Sequence, residues 1–384
     1  RIYLDDNGWR LLALPSLYIV SASETKWLYK YGDDVIEITY QVALNDLKHR
    51  LTFKSHKDQK YRILITNQIV IGEIEYNKEI DVDIKENRAI IDFKSNDFVS
   101  GHYPDLKYQF TSKGIFGGEE ILFNDQVGMG LLTILFEKES NFIIGIDATL
   151  NEFNDLKIDY ENEKLKYENF LKKLINLELK SDDEEIIRFK KLLYWYTHNA
   201  LIHYASPHGL EQTSGAAWGT RDILQGPVEL FTALRRFDIV RDILLKVYSR
   251  QFKETASWPQ WFMFDKYYKI QAHDAHGDII VWGIKALSEY IINTNDFTIL
   301  DEKVSYFSLE TNDFTNTDTI LNHLKKQFKA IKNEVILNTY LPKYDGGDWN
   351  DTLQPKEERL KDVMASSWTI ALLYQALKSL KVVV

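Results

Sequence analysis

The stretch "VIEITYQVAL" places Ile36, Ile38, Tyr40, Val42 and Leu44 on one side of an extended chain and Glu37, Thr39 and Gln41 on the other. Side chains that alternate with period two are what a strand with one covered face requires. Shorter runs of the same kind follow: "HRLTFKS", "YRILITNQIVIGE", "RAIIDFKS", "LLTILFEK" and "NFIIGIDATL". "YNKE", "KENR" and "FGGEE" read as turns between some of them. Many short strands with no helix between them predict an antiparallel β-sandwich over residues 1–150.

Near Asn151 the period changes. Residues 151–180 are highly charged and carry Leu165, Phe170, Leu171, Leu174 and Leu177 at helical spacing, which predicts a linker helix lying on another surface. Ser181 followed by Glu184 reads as a capping box opening the helix of "EEIIRFKKLLYWYTHNALIHYA". Further helices are predicted at about 223–250, 278–293, 318–332 and 362–380, the third with the apolar stripe Ile320, Leu321, Leu324, Phe328 and Ile331. Residues 181–384 are therefore all-α, and their long connections are rich in glycine and aromatics. Such loops are where a helical scaffold carries function.

Length and charge narrow the classes. A chain of 384 residues predicts more than one core. A net charge of −10 argues against nucleic acid as a partner. No apolar run approaches the roughly 20 residues of a membrane span, so no membrane partner is expected. The absence of cysteine excludes disulfides and thiolate metal sites and favours a reducing, cytoplasmic compartment. The first residue is Arg1, with no initiator Met and no signal-like segment, which predicts a piece of a longer chain. Aromatic residues make up 13% of the chain, a level that suits sugar stacking and large cores alike.

Three loops carry candidate chemistry. In "GLEQTSGAAWGTRDILQGPVELF", small residues bring the backbone close to whatever Trp218, Arg221 and Asp222 contact. An Arg–Asp pair capping the helix that starts near Ile223 is the plainer reading. "ASWPQWFMFDKYYKIQAHDAHGDIIVWGI" holds Trp258 and Trp261, then Asp274, His276 and Asp278. Their Asp-x-His-x-Asp spacing raises a metal site, but one isolated cluster without thiolates argues for no metal. Flat rings beside acids and imidazoles also suit a polyhydroxylated ring. Core aromatics and helix-capping acids are the alternative. In "YDGGDWNDTLQP", Asx-type turns account for Asp345 and Gly346. They account poorly for Trp349 set between Asp348 and Asp351.

"GGDWND" closely resembles the acid-bearing loop of glycoside hydrolase family 94, the inverting phosphorylases of β-linked glucosides. "WGTRDILQGPVE" and "AHDAHGDIIVW" resemble two further segments of that family, in the same order and in forms most similar to its 1,2-β-oligoglucan phosphorylase branch. The resemblance implies a β-sandwich, linker helices and an (α/α)6 barrel. The activity it implies is phosphorolysis of β-glucan, most like β-1,2-oligoglucan, with release of α-glucose 1-phosphate, and the reverse synthesis. By the same resemblance Asp351 is the general acid. Asp348 and Trp349 shape the sugar site, Arg221 and Asp222 surround the reacting sugar, and Asp274, His276 and Asp278 line the same cleft. Trp218, Trp258 and Trp261 are expected to contact substrate. The partners expected are glucan and inorganic phosphate as co-substrate, with no cofactor and with self-association into a homo-oligomer left open.

Two departures qualify this reading. Gly226 stands where many disaccharide-specific members carry Asp. About six barrel helices fit after residue 181, so a partial barrel is expected, with the family's phosphate site beyond the chain. Two other readings remain: an inverting hydrolase using Asp274 or Asp278 as base, and a catalytically silent sugar-binding or assembly module.

Overall fold

The alternation over the first 150 residues becomes a set of antiparallel strands in a computed structural model, which describes residues 1–69, 81–92, 105–117, 131–175, 177–205 and 217–383. In chain order the strands are β1 (Ile2–Asp5), β2 (Trp9–Leu11), β3 (Leu17–Val20), β4 (Glu24–Tyr31), β5 (Asp34–Val42), β6 (Lys48–Ser55) and β7 (Tyr61–Gln68). They continue with β8 (Asp81–Lys85), β9 (Arg88–Asp92), β10 (Lys107–Thr111), β11 (Ile115–Phe116), β12 (Leu131–Glu139) and β13 (Asn141–Thr149). Among the described residues one sheet runs β11-β12-β7-β1-β2 and the other β3-β4-β5-β6-β13-β10-β9-β8. Leu4, Ile63, Ile65 and Ile134 from the first sheet and Ile36, Phe53, Phe142 and Ile144 from the second share one buried cluster. This is the predicted sandwich. The turn "YNKE" and the end of "FGGEE" lie outside the described residues.

Strand β5 departs from simple alternation. Ile36 and Ile38 are buried as expected, but so are Thr39 and Gln41, from the side expected to be open. Helix α1 (Tyr160–Ile175) covers that side: Gln41 donates to Glu24 and Glu161, and the Arg50 guanidinium lies 4.4 Å over the Tyr160 ring. The linker helix is thus real but shorter than its pattern, and of the apolar positions read there Leu171 and Leu174 are buried while Leu165, Phe170 and Leu177 are exposed.

The chain divides into two compact units, Arg1–Lys173 and Leu174–Val384. The second holds α2 (Glu184–Ala205), α3 (Thr220–Ala233), α4 (Phe237–Tyr248), α5 (Ile279–Thr294), α6 (Ile320–Asn333) and α7 (Ser367–Val383). Two small strand pairs stand among them: β14 (Trp218–Gly219) with β15 (Trp261–Phe262), and β16 (Lys303–Ser308) with β17 (Asp313–Thr319). Helix α5 is central, packing against α3, α4, α6 and α7, and it is buried on nearly every face. A helix that is apolar all round needs such neighbours.

Several local expectations change. The helix read over 223–250 is broken into α3 and α4, because Arg235 sits at φ 56°, outside the helical region. Ser181 does not form the capping box; Asp183 accepts the Glu185 N–H at 2.8 Å and caps α2. The hairpin β16–β17 is masked in the sequence by its Thr, Asn and Asp content. On α6 the polar His323 and Gln327 join Ile320, Leu324 and Ile331 on the buried face, while Phe328 is exposed. Those two polar side chains are bonded: His323 to Gln251 at 2.7 Å, and Gln327 to the Ile280 carbonyl and Tyr248.

In the sandwich, Asp34 is 1% exposed and accepts from Ser55 (2.6 Å), Tyr61 (2.8 Å) and the Val35 and Lys57 amides (2.7 and 3.0 Å). Burial alone would raise its pKa, but these bonds to the ionised form outweigh burial and lower it. A depressed carboxylate contributes stability above its unfolded pKa and loses it as pH falls through the folded value. Asp34→Ala leaves four donors without an acceptor and is expected to cost ~2–4 kcal/mol in urea unfolding at pH 7. The cost should shrink on acidification; a loss that is the same at pH 7 and pH 3 would contradict this account.

Candidate active site

Arg221 is the second residue of α3, and the chain before it is fixed from two sides. Strand β14 pairs with β15, setting Trp218 opposite Phe262. Thr220 then donates through its hydroxyl to the Pro259 carbonyl at 2.6 Å and through its amide to the Gln260 carbonyl at 2.9 Å. The Gln260 side chain reaches on to accept the His276 amide at 3.1 Å. One short segment therefore sets both Arg221 and His276.

The loop that carries His276 and the loop that carries the acids cross backbone to backbone. The Gly277 amide donates to the Gly347 carbonyl at 2.9 Å, and His276 bridges Asp345. A Cβ on Gly277 would stand 2.7 Å from the Tyr344 carbonyl, and one on Gly346 would stand 2.6 Å from the Ala275 carbonyl. Only glycine allows this approach.

The crossing delivers Asp351 to Arg221. One Arg221 terminal nitrogen donates to both Asp351 oxygens, at 2.8 and 3.0 Å. The other donates to the Asp348 carbonyl at 3.3 Å and lies 3.5 Å from Asp278 Oδ2. Burial works against the Arg221 charge, yet its bonds to Asp351 and the fields of Asp278, Asp351 and Asp222 raise its pKa. His276 Nδ1 is 2.8 Å from Asp351 Oδ1 and 3.0 Å from the Asp348 carbonyl oxygen. Asp278, at the head of α5, is fully buried; Trp282 donates to its Oδ2 at 3.0 Å, and its Oδ1 has no partner among the described residues. Burial raises its pKa.

Asp351, Arg221, His276, Asp278 and Asp348 thus form one cluster, with Asp222 adding its charge nearby. Within it the roles divide. The Asp348 carboxylate turns into its own loop, accepting from the Asn350 amide at 2.8 Å and from the Ser366 hydroxyl. Its main-chain oxygen is what faces the cluster. Asp351 keeps half its side chain open. Trp349 is half exposed, donates to Gln225 at 3.4 Å and lies 5.3 Å from the Trp368 ring. Trp368 falls within an apolar helix pattern, and nothing in "ASSWTIALL" marks its ring as open.

The other expected residues are placed elsewhere. Asp274 is exposed and makes no bond to the cluster; with His273, His276, Asp345 and Lys361 it lines a cavity of about 1200 Å³. Trp218 and Trp258 are 2% and 1% exposed, and the Trp258 indole donates to the Val247 carbonyl at 2.8 Å. Trp261 is half-buried in a strand, so it shares no helical face with Trp258. The aromatic segment is packed around a buried cation. Arg250, 3% exposed, donates to the Met263 and Tyr268 carbonyls at 2.6 and 2.7 Å and lies 4.9 and 4.8 Å over the Phe262 and Phe314 rings. Among the described residues no group of acids and histidines could hold a metal ion, and no helix is long and apolar enough to cross a membrane.

Residues 1–148 match the glycoside phosphorylase supersandwich domain, and residues 173–383 match the glycosyl hydrolase 94 superfamily catalytic domain. A 1,2-beta-oligoglucan phosphorylase of Listeria innocua serovar 6a is 36% identical over 389 residues, covering 99% of this chain and 36% of that protein. The chain thus spans about a third of the length of this curated relative. Among solved structures, a bacterial glucoamylase complexed with acarbose is 12% identical with a TM-score of 0.48, covering 95% of this chain and 58% of that one. A family GH92 alpha-mannosidase from Bacteroides thetaiotaomicron is 11% identical with a TM-score of 0.45, covering 94% and 57%.

The glycine crossing makes a paired prediction. Gly346→Ala should cost ~1–3 kcal/mol in denaturant unfolding, because backbone must move to admit the methyl group. Gly226→Ala, whose Cβ meets nothing within 4 Å on α3, should be neutral or stabilising by up to ~1 kcal/mol. Equal stability of Gly346→Ala and the wild type would mean that the crossing does not fix the loops.

Proposed function

Because the chain belongs to the glycosyl hydrolase 94 superfamily, we propose that it acts in the inverting phosphorolysis of β-linked glucan, β-1,2-linked oligoglucan in particular, and in the reverse synthesis. Asp351 is the proton donor of this reaction. It protonates the departing glycosidic oxygen, directly or through a sugar hydroxyl, while inorganic phosphate bonds to the anomeric carbon from the opposite face and leaves α-glucose 1-phosphate. Phosphate arrives as an anion, so no second carboxylate is needed as base. The observation that carries this reading is the convergence on one half-open carboxylate, Asp351, of Arg221 from α3 and His276 from the facing loop.

The cluster supports distinct roles for its members. Arg221 receives the carboxylate that remains after proton transfer, one terminal nitrogen donating to both of its oxygens in charge-assisted bonds. Asp348, tied to Ser366 and Asn350, holds the loop in shape. Trp349 and Trp368 offer half-exposed rings for sugar stacking beside Asp351. An inverting hydrolase would need a carboxylate that can activate water. Asp278, one of its two candidates, is fully buried and turned to Arg221 and Trp282, which favours phosphate over water as nucleophile. The compartment that fits this reading is the cytoplasm.

Asp351→Asn in the full-length protein is expected to preserve the fold and glucan binding while lowering phosphorolysis of unactivated β-glucan by roughly 10²–10⁴-fold. An aryl β-glucoside whose leaving group needs no proton should lose far less. Initial rates with and without phosphate check the assignment. Near wild-type phosphorolysis by the variant would remove Asp351 from the role and make Asp348 the next residue to test.

A further inference from the structure

Arg221 is buried between two carboxylates with unlike surroundings: Asp351 is half open, whereas Asp278 is wholly enclosed. Asp278 Oδ2 meets only donors, the Trp282 indole at 3.0 Å and an Arg221 terminal nitrogen at 3.5 Å. Its Oδ1 has no partner among the described residues, so a hydrogen there would be left without an acceptor. Asp278 is also the N-cap of α5, where the partial positive charge of a helix end favours an anion. Burial raises its pKa against these effects. The ionised carboxylate is the form that fits the bonds.

A proton donor must hold its proton before delivering it. If Asp351 were the sole counter-ion of Arg221, protonating it would leave a buried guanidinium uncompensated, and that cost would keep Asp351 ionised. With Asp278 ionised the count differs. Arg221 and Asp278 cancel, so the three groups sum to zero when Asp351 is protonated and to −1 when it is not. A poorly solvated site favours the neutral sum.

We propose that Asp278 is the standing counter-ion of Arg221, and that this pairing leaves Asp351 able to carry the proton it delivers. The inference rests on Asp351 as the proton donor and deepens that reading: Asp278 is a positioning residue that acts through Arg221. Asp351 gives its hydrogen to the glycosidic oxygen as the C–O bond breaks and a phosphate oxygen bonds to the anomeric carbon; the O–H electron pair stays on Asp351. One Arg221 nitrogen then holds the carboxylate by both oxygens, while the other keeps Asp278 and the Asp348 carbonyl. Water at the open side returns one proton to Asp351, and the new sugar phosphate releases the proton of hydrogen phosphate to water, so the sum balances.

Groups from each neighbouring segment face this pair. Helix α3 adds the charge of Asp222 beside Arg221. The loop before α5 brings His276, whose charge acts on Asp278 and whose Nδ1 hydrogen is directed at the Asp348 carbonyl. The acidic loop adds the Asp348 carboxylate, turned to Ser366, and the Tyr344 hydroxyl, whose pKa is raised by burial and then by Asp348 and Asp278. Of these groups Arg221 has the charge that does not change with pH.

Asp278→Asn in the full-length protein removes the charge and keeps the shape. The Arg221 charge then falls on Asp351 and favours its ionised form, so the proton is lost at lower pH. The alkaline limb of kcat for unactivated oligoglucan should move about one to three pH units toward acid. Above that limb kcat should fall by about tenfold or more, with KM within about threefold of the wild type. A purely structural role for Asp278 would lower rates without moving the limb, and a limb that coincides with the wild type overturns the inference. Should Asp278→Asn fail to fold, Arg221→Gln/Asp278→Asn, which leaves neither charge of the pair, still decides. Its limb should lie within about one unit of the wild type, and a larger move toward acid overturns the inference. A further measurement needs no turnover: the ¹³C-carboxylate titration of Asp351 should move to lower pH in Asp278→Asn, and an unchanged midpoint overturns it equally. Absence of phosphate-dependent glucan cleavage by the wild type would instead remove the phosphorylase reading, while this titration would still decide whether Asp278 offsets Arg221.

Discussion

The buried Arg221 guanidinium is the interaction on which the rest of the site depends. It is 5% exposed, so the cost of removing a cation from water must be met by partners with good geometry. Those partners come from two places in the chain: Asp351 and the Asp348 carbonyl from the acidic loop, and Asp278 from the head of α5. Remove any one of them and the guanidinium loses both charge compensation and direction.

What supports the cluster is ordinary packing. Helix α5 is buried along nearly its whole length, which fixes Asp278 at its head. Strands β14 and β15 and the Thr220 bonds to the segment before β15 fix the first turn of α3. The aromatic segment is held by Arg250, whose carbonyl bonds and flanking phenylalanine rings replace the carboxylate a buried arginine usually takes. Burial lowers its pKa to about 10, so it stays a cation at neutral pH. Of the residues that read as a sugar platform, Trp218 and Trp258 are core.

The crossing of two glycine-bearing loops explains why the Asp351 carboxylate can sit so near an imidazole. Each loop presents bare backbone to the other, and the approach leaves no room for a side chain at Gly277 or Gly346. The result is an approach of 2.8 Å between His276 Nδ1 and Asp351 Oδ1. Asp348 turns its carboxylate to Ser366 and its carbonyl to His276, which ties the acidic loop to its neighbours.

The sequence by itself determined the sandwich and the helices, and it singled out loops that the fold brings together at Arg221, His276 and Asp351. Period-two alternation through Ile36 and Ile38 yields the sandwich because a pleated strand has no other way to bury those side chains. Helical spacing yields the later helices because one apolar stripe must meet another. Arg221, His276, Asp278, Asp348 and Asp351 were legible through the resemblance of their three loops to segments of the family, since helix caps and turns would have accounted for several of them. Tertiary structure alone decided which faces were covered and which atoms met. Gln41 is buried because α1 lies on β5, and Trp258 is core because its indole meets the Val247 carbonyl. Asp278 faces Arg221 and not open cleft because α5 is enclosed on all sides. The spacing of residues along a chain fixes which side chains can share a surface, but not what is brought against it. At residues 221, 276 and 351 the chemistry depends on contacts to positions up to 130 residues away.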